Sequence, residues 1–180
     1  MARPIRRILV AIKEVRGRSS PTLAKAAKLA TALGARLELF HAITVPLAID
    51  EFTFSGEGVN EYETAEHARR LKRLEAMAQP LRDTGLKITV NAVWDYPAHQ
   101  AVIRQAMQTR ADLIVAERHE GRHVAPWLLR YNDRELLRHS PVPVLLVKTR
   151  RAYDKPKVLA AVDPSHAFNK AAWLDTNILR

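Results

Sequence analysis

Residues 119–123 read HEGRH, which has the form H-E-x-x-H. On a helix that spacing stacks two histidines one turn apart to bind zinc, with the glutamate as general base. The chemistry needs a continuous helix, and this stretch does not read as one. Gly121 lies inside it, Pro126 follows, and the strand-like run ADLIVAE (111–117) comes before it. No third ligand is evident. Glu117 would complete only a weak, adventitious site with His119 and His123, so no metal is expected and the stretch reads as a solvated polar loop.

Other side chains with chemistry to offer are scattered. His41 falls at the end of a strand, where open α/β sheets point ligands; its plainer reading is a partly buried histidine bonded to neighbouring backbone. Asp95, Tyr96 and His99 follow another strand and could reach the same crevice, although Asp95 is also placed to cap the helix that Pro97 starts. His139, at a helix C-terminus, suits the helix dipole and needs no function. Trp94 and Trp127 read as packing residues. No nucleophile elbow or pair of catalytic carboxylates is visible, and the chain has no cysteine. Thiol catalysis and disulfides are excluded, a cytoplasmic setting fits, and no enzyme activity is expected.

The loop from Glu117 to Tyr131 invites a second test. A nucleotide-binding α/β domain places glycines after such a strand, because backbone must come close to phosphate. This loop holds one, Gly121, among charged residues.

The elements that must position these residues follow from periodicity. RRILVAI (6–12) reads as a buried strand. Ser20 and Pro21 look like an N-cap and first helical residue. Leu23, Ala26, Ala27, Ala30 and Leu33 then recur at helical spacing up to Gly34. ARLELFHAI (35–43) is a second strand and 44–60 a long loop. A helix over about 61–84 carries Leu71, Leu74, Met77, Ala78 and Leu81, is loosened at Pro80 and ends at Gly85. LKITVNAVW (86–94) is strand three. A helix from Pro97 turns Ala101, Val102, Ala106 and Met107 inward. Strand four (111–117), a helix over about 129–139 and the strand VPVLLVK (142–148) follow. This alternation implies a parallel sheet covered on both faces.

The chain has 180 residues, a net charge of +10 and 47% hydrophobic residues. No run of about 18 apolar residues exists, so neither a membrane span nor a membrane partner is expected. The excess charge raises the prior for a polyanion. The densest cluster is Arg3, Arg6, Arg7, Lys13, Arg16 and Arg18. No aromatic residues interleave it, so specific nucleic-acid binding is not expected. After a linker (151–156), KVLAAV (157–162) matches RILVAI (7–12) in type. Residues 157–180 therefore read as the truncated start of a second repeat.

The LIV strand, the set of five strands and four helices, and above all LLRHSPVPVLLVK (136–148) resemble the universal stress protein family. The repeat at 157 and VWDYP (93–97) resemble its tandem (E-type) members. The resemblance implies a Rossmann-like, doubly wound sheet of order 3-2-1-4-5, with residues 1–150 as one domain. It also implies a stress-response role and pairing through strand 142–148, either in a homodimer or with a second repeat. Many members bind ATP through an aspartate after strand one and the motif G-x2-G-x9-G-S/T after strand four. The aspartate position here is Lys13, and Ala11 and Ile12 at the end of strand one and Ala42 on strand two are the other site positions on this side. After strand four the positions are Glu117, Glu120, Arg130 and Tyr131, and no motif residue is kept. Glycines there permit φ > 0 and close approach to phosphate. Glutamates would instead face a polyphosphate with like charge, at about 1–4 kcal/mol per contact near 4 Å. Arg118, Arg122 and Arg130 offset part of that charge but cannot restore the backbone. The expectation is a stress-response domain with a degraded site and no cofactor; the alternative is ATP held by a displaced loop around Gly121. Asp163, in VDPS, matches Lys13 in place and has the family's residue type, so ligand binding in the complete protein is expected of the second repeat.

Overall fold

The computed structural model describes residues 4–15, 20–44, 56–117 and 132–148, with backbone alone for 56–59 and 132. The elements run β1 (Arg7–Ala11), α1 (Pro21–Leu33), β2 (Arg36–Ile43), α2 (Gly56–Arg82), β3 (Ile88–Trp94), α3 (Ala98–Gln108), β4 (Leu113–Glu117), α4 (Asn132–His139) and β5 (Val144–Val147). The five strands form one sheet of order β3-β2-β1-β4-β5, with every pairing parallel. This is the α/β, Rossmann-like architecture that the sequence implies.

Alternation along the strands builds two cores. Ile8 and Val10 of β1 and Leu37 and Leu39 of β2 join Leu23, Ala26 and Ala30 of α1 and Leu74 and Met77 of α2. On the other face Leu9, Phe40 and Ile114 meet Ala101, Val102 and Ala106 of α3 and Leu136 of α4. Both faces of the sheet are buried, which is why the strands read as continuous apolar runs.

Helix ends follow local chemistry. Ser20 Oγ accepts from the Leu23 amide at 3.1 Å, with Pro21 next in the chain. Gly34 and Gly85 adopt φ +63° and +91°. The amides after them, Ala35 and Leu86, donate back to Ala30 and Leu81, which closes the helix ends in the Schellman manner. α3 ends the same way without glycine: Arg110 sits at φ +53° and Ala111 donates to Ala106 O at 2.8 Å.

Five expectations need correction. α2 begins at Gly56, inside the stretch read as loop, and it continues through Pro80 to Arg82. Leu33 is 48% exposed and Met107 60% exposed, so neither faces the core. Each lies at the last turn of its helix, beyond the buried stripe. Asp95 does not cap α3: its carboxylate pairs with Arg104, including Nε at 3.2 Å, and Pro97 stands at the cap position with no side-chain bond. β5 has only four residues, because Pro141 and Pro143 cannot donate to a ladder. Residues 118–131 and 149–180, which include the linker and second-repeat readings and Trp127, lie outside the described residues.

Candidate functional site

The crevice of interest lies at the C-terminal ends of β1 and β4, where the strand order reverses about β1. Register assembles it: Ala11 of β1 sits between Phe40 of β2 and Ala116 of β4. Ala11 and Ala42 are half-buried and pack on the α3 side of the sheet. Ile12 is buried, and its amide donates to Phe40 O at 2.8 Å. Lys13 and Glu117, the residues just past this edge, are both exposed. Five of the sequence-derived positions (Ala11, Ile12, Lys13, Ala42 and Glu117) thus come to one edge of the sheet. Glu120, Arg130 and Tyr131, and the metal candidates His119 and His123, lie outside the described residues. No group of three metal-ligating side chains occurs among the described residues.

His41 does not open into this crevice. It shares a side of β2 with Leu39 and Ile43, facing α1 and α2, and it is 7% exposed. Its Nδ1 donates to Ile12 O at 2.8 Å. The residue at the end of β1 is therefore held on both sides, by β2 backbone through its amide and by a β2 side chain through its carbonyl. Burial pushes the imidazole below its ordinary range, the bond to Ile12 opposes this, and the Arg70 guanidinium adds to it.

Beside His41, α2 carries a polar cluster that the sequence did not single out. Glu66 is 4% exposed and pairs with Arg69 and Arg70. Burial works against its ionisation, but the two guanidiniums outweigh that and hold the carboxyl below its usual range. On the next residue, His67 Nε2 donates to Ala92 O at 2.7 Å, and one turn back Glu63 O accepts from Trp94 Nε1 at 3.3 Å. These bonds fasten α2 to β3. The signal available in the sequence was a glutamate with arginines three and four residues on, a spacing that puts all three on one face of the helix.

His99 goes elsewhere. It lines a cavity of about 420 Å³ between α3 and α4, together with Ile103, Arg104, Glu135 and His139. Its ring stacks on His139 with centroids 6.3 Å apart, and His139 Nε2 meets Glu135 Oε2 at 3.1 Å. Tyr96 is 70% exposed. The fold therefore separates His41 from His99 and Asp95, which lie on the α3 side.

A model of the universal stress protein family matches residues 4–148. Universal stress protein E of Photorhabdus laumondii is 25% identical over 153 residues, covering 81% of this chain and 46% of its own length. The chain spans about half the length of the curated relatives it matches. A Pseudomonas aeruginosa universal stress protein of known structure superposes with a TM-score of 0.67 at 25% identity, over 97% of this chain and 55% of that one. A universal stress protein solved in complex with cAMP gives 0.53 at 21% identity, over 82% and 99% of the two chains, a likeness of fold.

Proposed function

The chain belongs to the universal stress protein family, and from that premise we propose that residues 1–150 form a non-catalytic stress-response domain with a degraded ATP site, working in a pair. The observation that carries this reading is the chemistry of the β1–β4 edge. Lys13 stands where ATP-binding members are expected to carry aspartate, and Glu117 stands where they carry the first glycine. The Ile12 carbonyl beside them is already engaged by His41. A glutamate at the mouth of the phosphate loop brings both bulk and like charge to the place where a polyphosphate would sit.

Thermal melts with ATP, ADP and cAMP test the loss of the site. A nucleotide bound at a hundredfold its Kd adds about 2.7 kcal/mol of stability, which is worth about 5–10 °C in a domain of this size. The expected shift is below about 1 °C for all three nucleotides. A shift of several degrees would establish the second reading, a nucleotide-binding stress protein with a displaced loop. Gly121, one position from the motif's second glycine, and the relative solved with cAMP favour that reading.

Pairing would use β5, which among the described residues has a neighbour on one side only. Either a second copy or a second repeat opening at residues 157–180 could supply the other side. The greater length of the relatives supports the repeat. Light scattering on this chain should give twice its 20.3 kDa mass. A monomer at every concentration tried would remove the homodimer. Leu145 is unsuitable as a probe, because it packs on the domain's own core.

A further inference from the structure

The fold divides the basic start of the chain. Arg6 and Arg7 lie at the beginning of β1 and Lys13 beyond its end, about 20 Å away at strand rise. At the Arg6–Arg7 edge the topology adds cations from distant segments. Arg7 lies directly beside Arg36 on β2. The Leu37 amide donates to Lys87 O at 2.9 Å, which puts Lys87 next in line at β3. Arg110 ends α3 two residues before Asp112, whose amide donates to Arg7 O at 2.9 Å. All five basic residues are exposed. With strands about 4.8 Å apart, Lys87, Arg36 and Arg7 form a row. The acidic neighbours are Asp112, whose Oδ2 accepts the Arg6 and Arg7 amides at 2.9 and 3.1 Å, and Asp83, whose Oδ1 accepts from Gln79.

The same edge carries two of the large apolar side chains exposed among the described residues. Leu33 ends α1 and Met107 lies in the last turn of α3. α1 and α3 cover opposite faces of the sheet, so the two side chains flank the basic row on either side.

We propose that this edge docks on an anionic phospholipid bilayer, with the cations over the headgroups and Leu33 and Met107 entering the interface. It is a surface that lies on a membrane, distinct from a span. A nucleic-acid backbone would satisfy the cations, but it leaves both apolar side chains without a role, and among the described residues this edge has no exposed aromatic ring to stack on a base.

Co-sedimentation of the 180-residue chain with vesicles tests the proposal. Binding is expected to phosphatidylcholine vesicles containing phosphatidylglycerol and not to phosphatidylcholine alone, and it should weaken as salt is added. Each headgroup-facing charge contributes about fivefold, so the combined variant Arg36→Ser, Lys87→Ser, Arg110→Gly should bind about a hundredfold more weakly. Leu33→Ser with Met107→Ser should cost about tenfold. All five positions are exposed, so both variants should keep the parent melting midpoint. Equal binding to both vesicle types, no binding to either, or a charge variant that binds like the parent would overturn the proposal. So would full vesicle binding by the apolar variant combined with duplex DNA retention that only the charge variant loses, which would make this edge a nucleic-acid surface.

Discussion

Phe40→Ala is expected to destabilise the domain by about 3–5 kcal/mol and to lower its melting midpoint by about 10 °C or more. Phe40 is fully buried on β2. Its ring packs with Leu9, Ile114 and Val102, on the face closed by α3 and α4. Its Cα partners are Ala11 on β1 and Asn91 on β3. Alanine there would open a void that neighbours fixed in three strands cannot collapse to fill. A domain typically holds only about 5–15 kcal/mol in reserve, so the loss is a large part of the whole. Phe40 also accepts the Ile12 amide through its carbonyl, and the damage would therefore reach the β1–β4 crevice. Urea unfolding measures it; a cost below about 1 kcal/mol would show that the α3 core is not packed around this ring.

Glu66→Ala is expected to cost about 2–3 kcal/mol at neutral pH, because it strips the counter-ion from Arg70, whose side chain is 28% exposed. The dependence on pH separates this pair from His41. The Glu66 carboxyl is held below its unfolded value. Its contribution is present above that value, about 4.5, and is lost as pH falls through the lower folded one. Parent and variant should therefore converge in strong acid. His41 works in a higher window. Burial lowers its folded pKa, so below about pH 6.5 the unfolded chain takes up a proton that the folded chain resists. Parent stability should fall from about pH 7 to pH 5, and His41→Gln should flatten that slope while leaving the Glu66 step in place. A parent profile flat over that interval would contradict the buried, neutral imidazole.

Where one residue answers one local demand, the sequence was easy to read. Ser20, Pro21 and Gly34 each announced an end of α1, and the apolar runs announced strands whose parallel order follows from helical crossovers. Local reading failed where a distant partner decided the outcome. Asp95 had the right type and place to cap α3, but Arg104 nine residues on offers three charged bonds in place of one amide. Met107 and Leu33 kept the helical period, yet the final turns of α3 and α1 run past the sheet. Glu66 looked like a surface residue of a charged helix, and its burial depends on where α2 lands against β2 and β3. At the crevice, the family resemblance named Ala11, Ile12, Lys13, Ala42 and Glu117, and they meet at one edge because strand register preserves counting. The same counting sent His41 to the opposite face, because a strand changes sides at every residue.

The place of β1 at the centre of the sheet also governs how the molecule is made. One of its two neighbours, β2, is the next strand in the sequence; the other, β4, pairs Ile8 with Leu113, 105 residues away. A nascent chain that has not yet emitted β4 can form β1, β2 and β3 with their two helices, but it presents β1, whose Ile8, Leu9 and Val10 are buried in the finished fold, as an open edge. Such an edge is a template for the wrong partner. Closing so long a loop must also precede the contacts that reward it, so β4 docking is expected to be slow and to follow the pairing of β1 with β2. The seam that forms the crevice thus waits for the fourth strand, and aggregation of this chain is expected to be greatest between synthesis of its third and fourth strands.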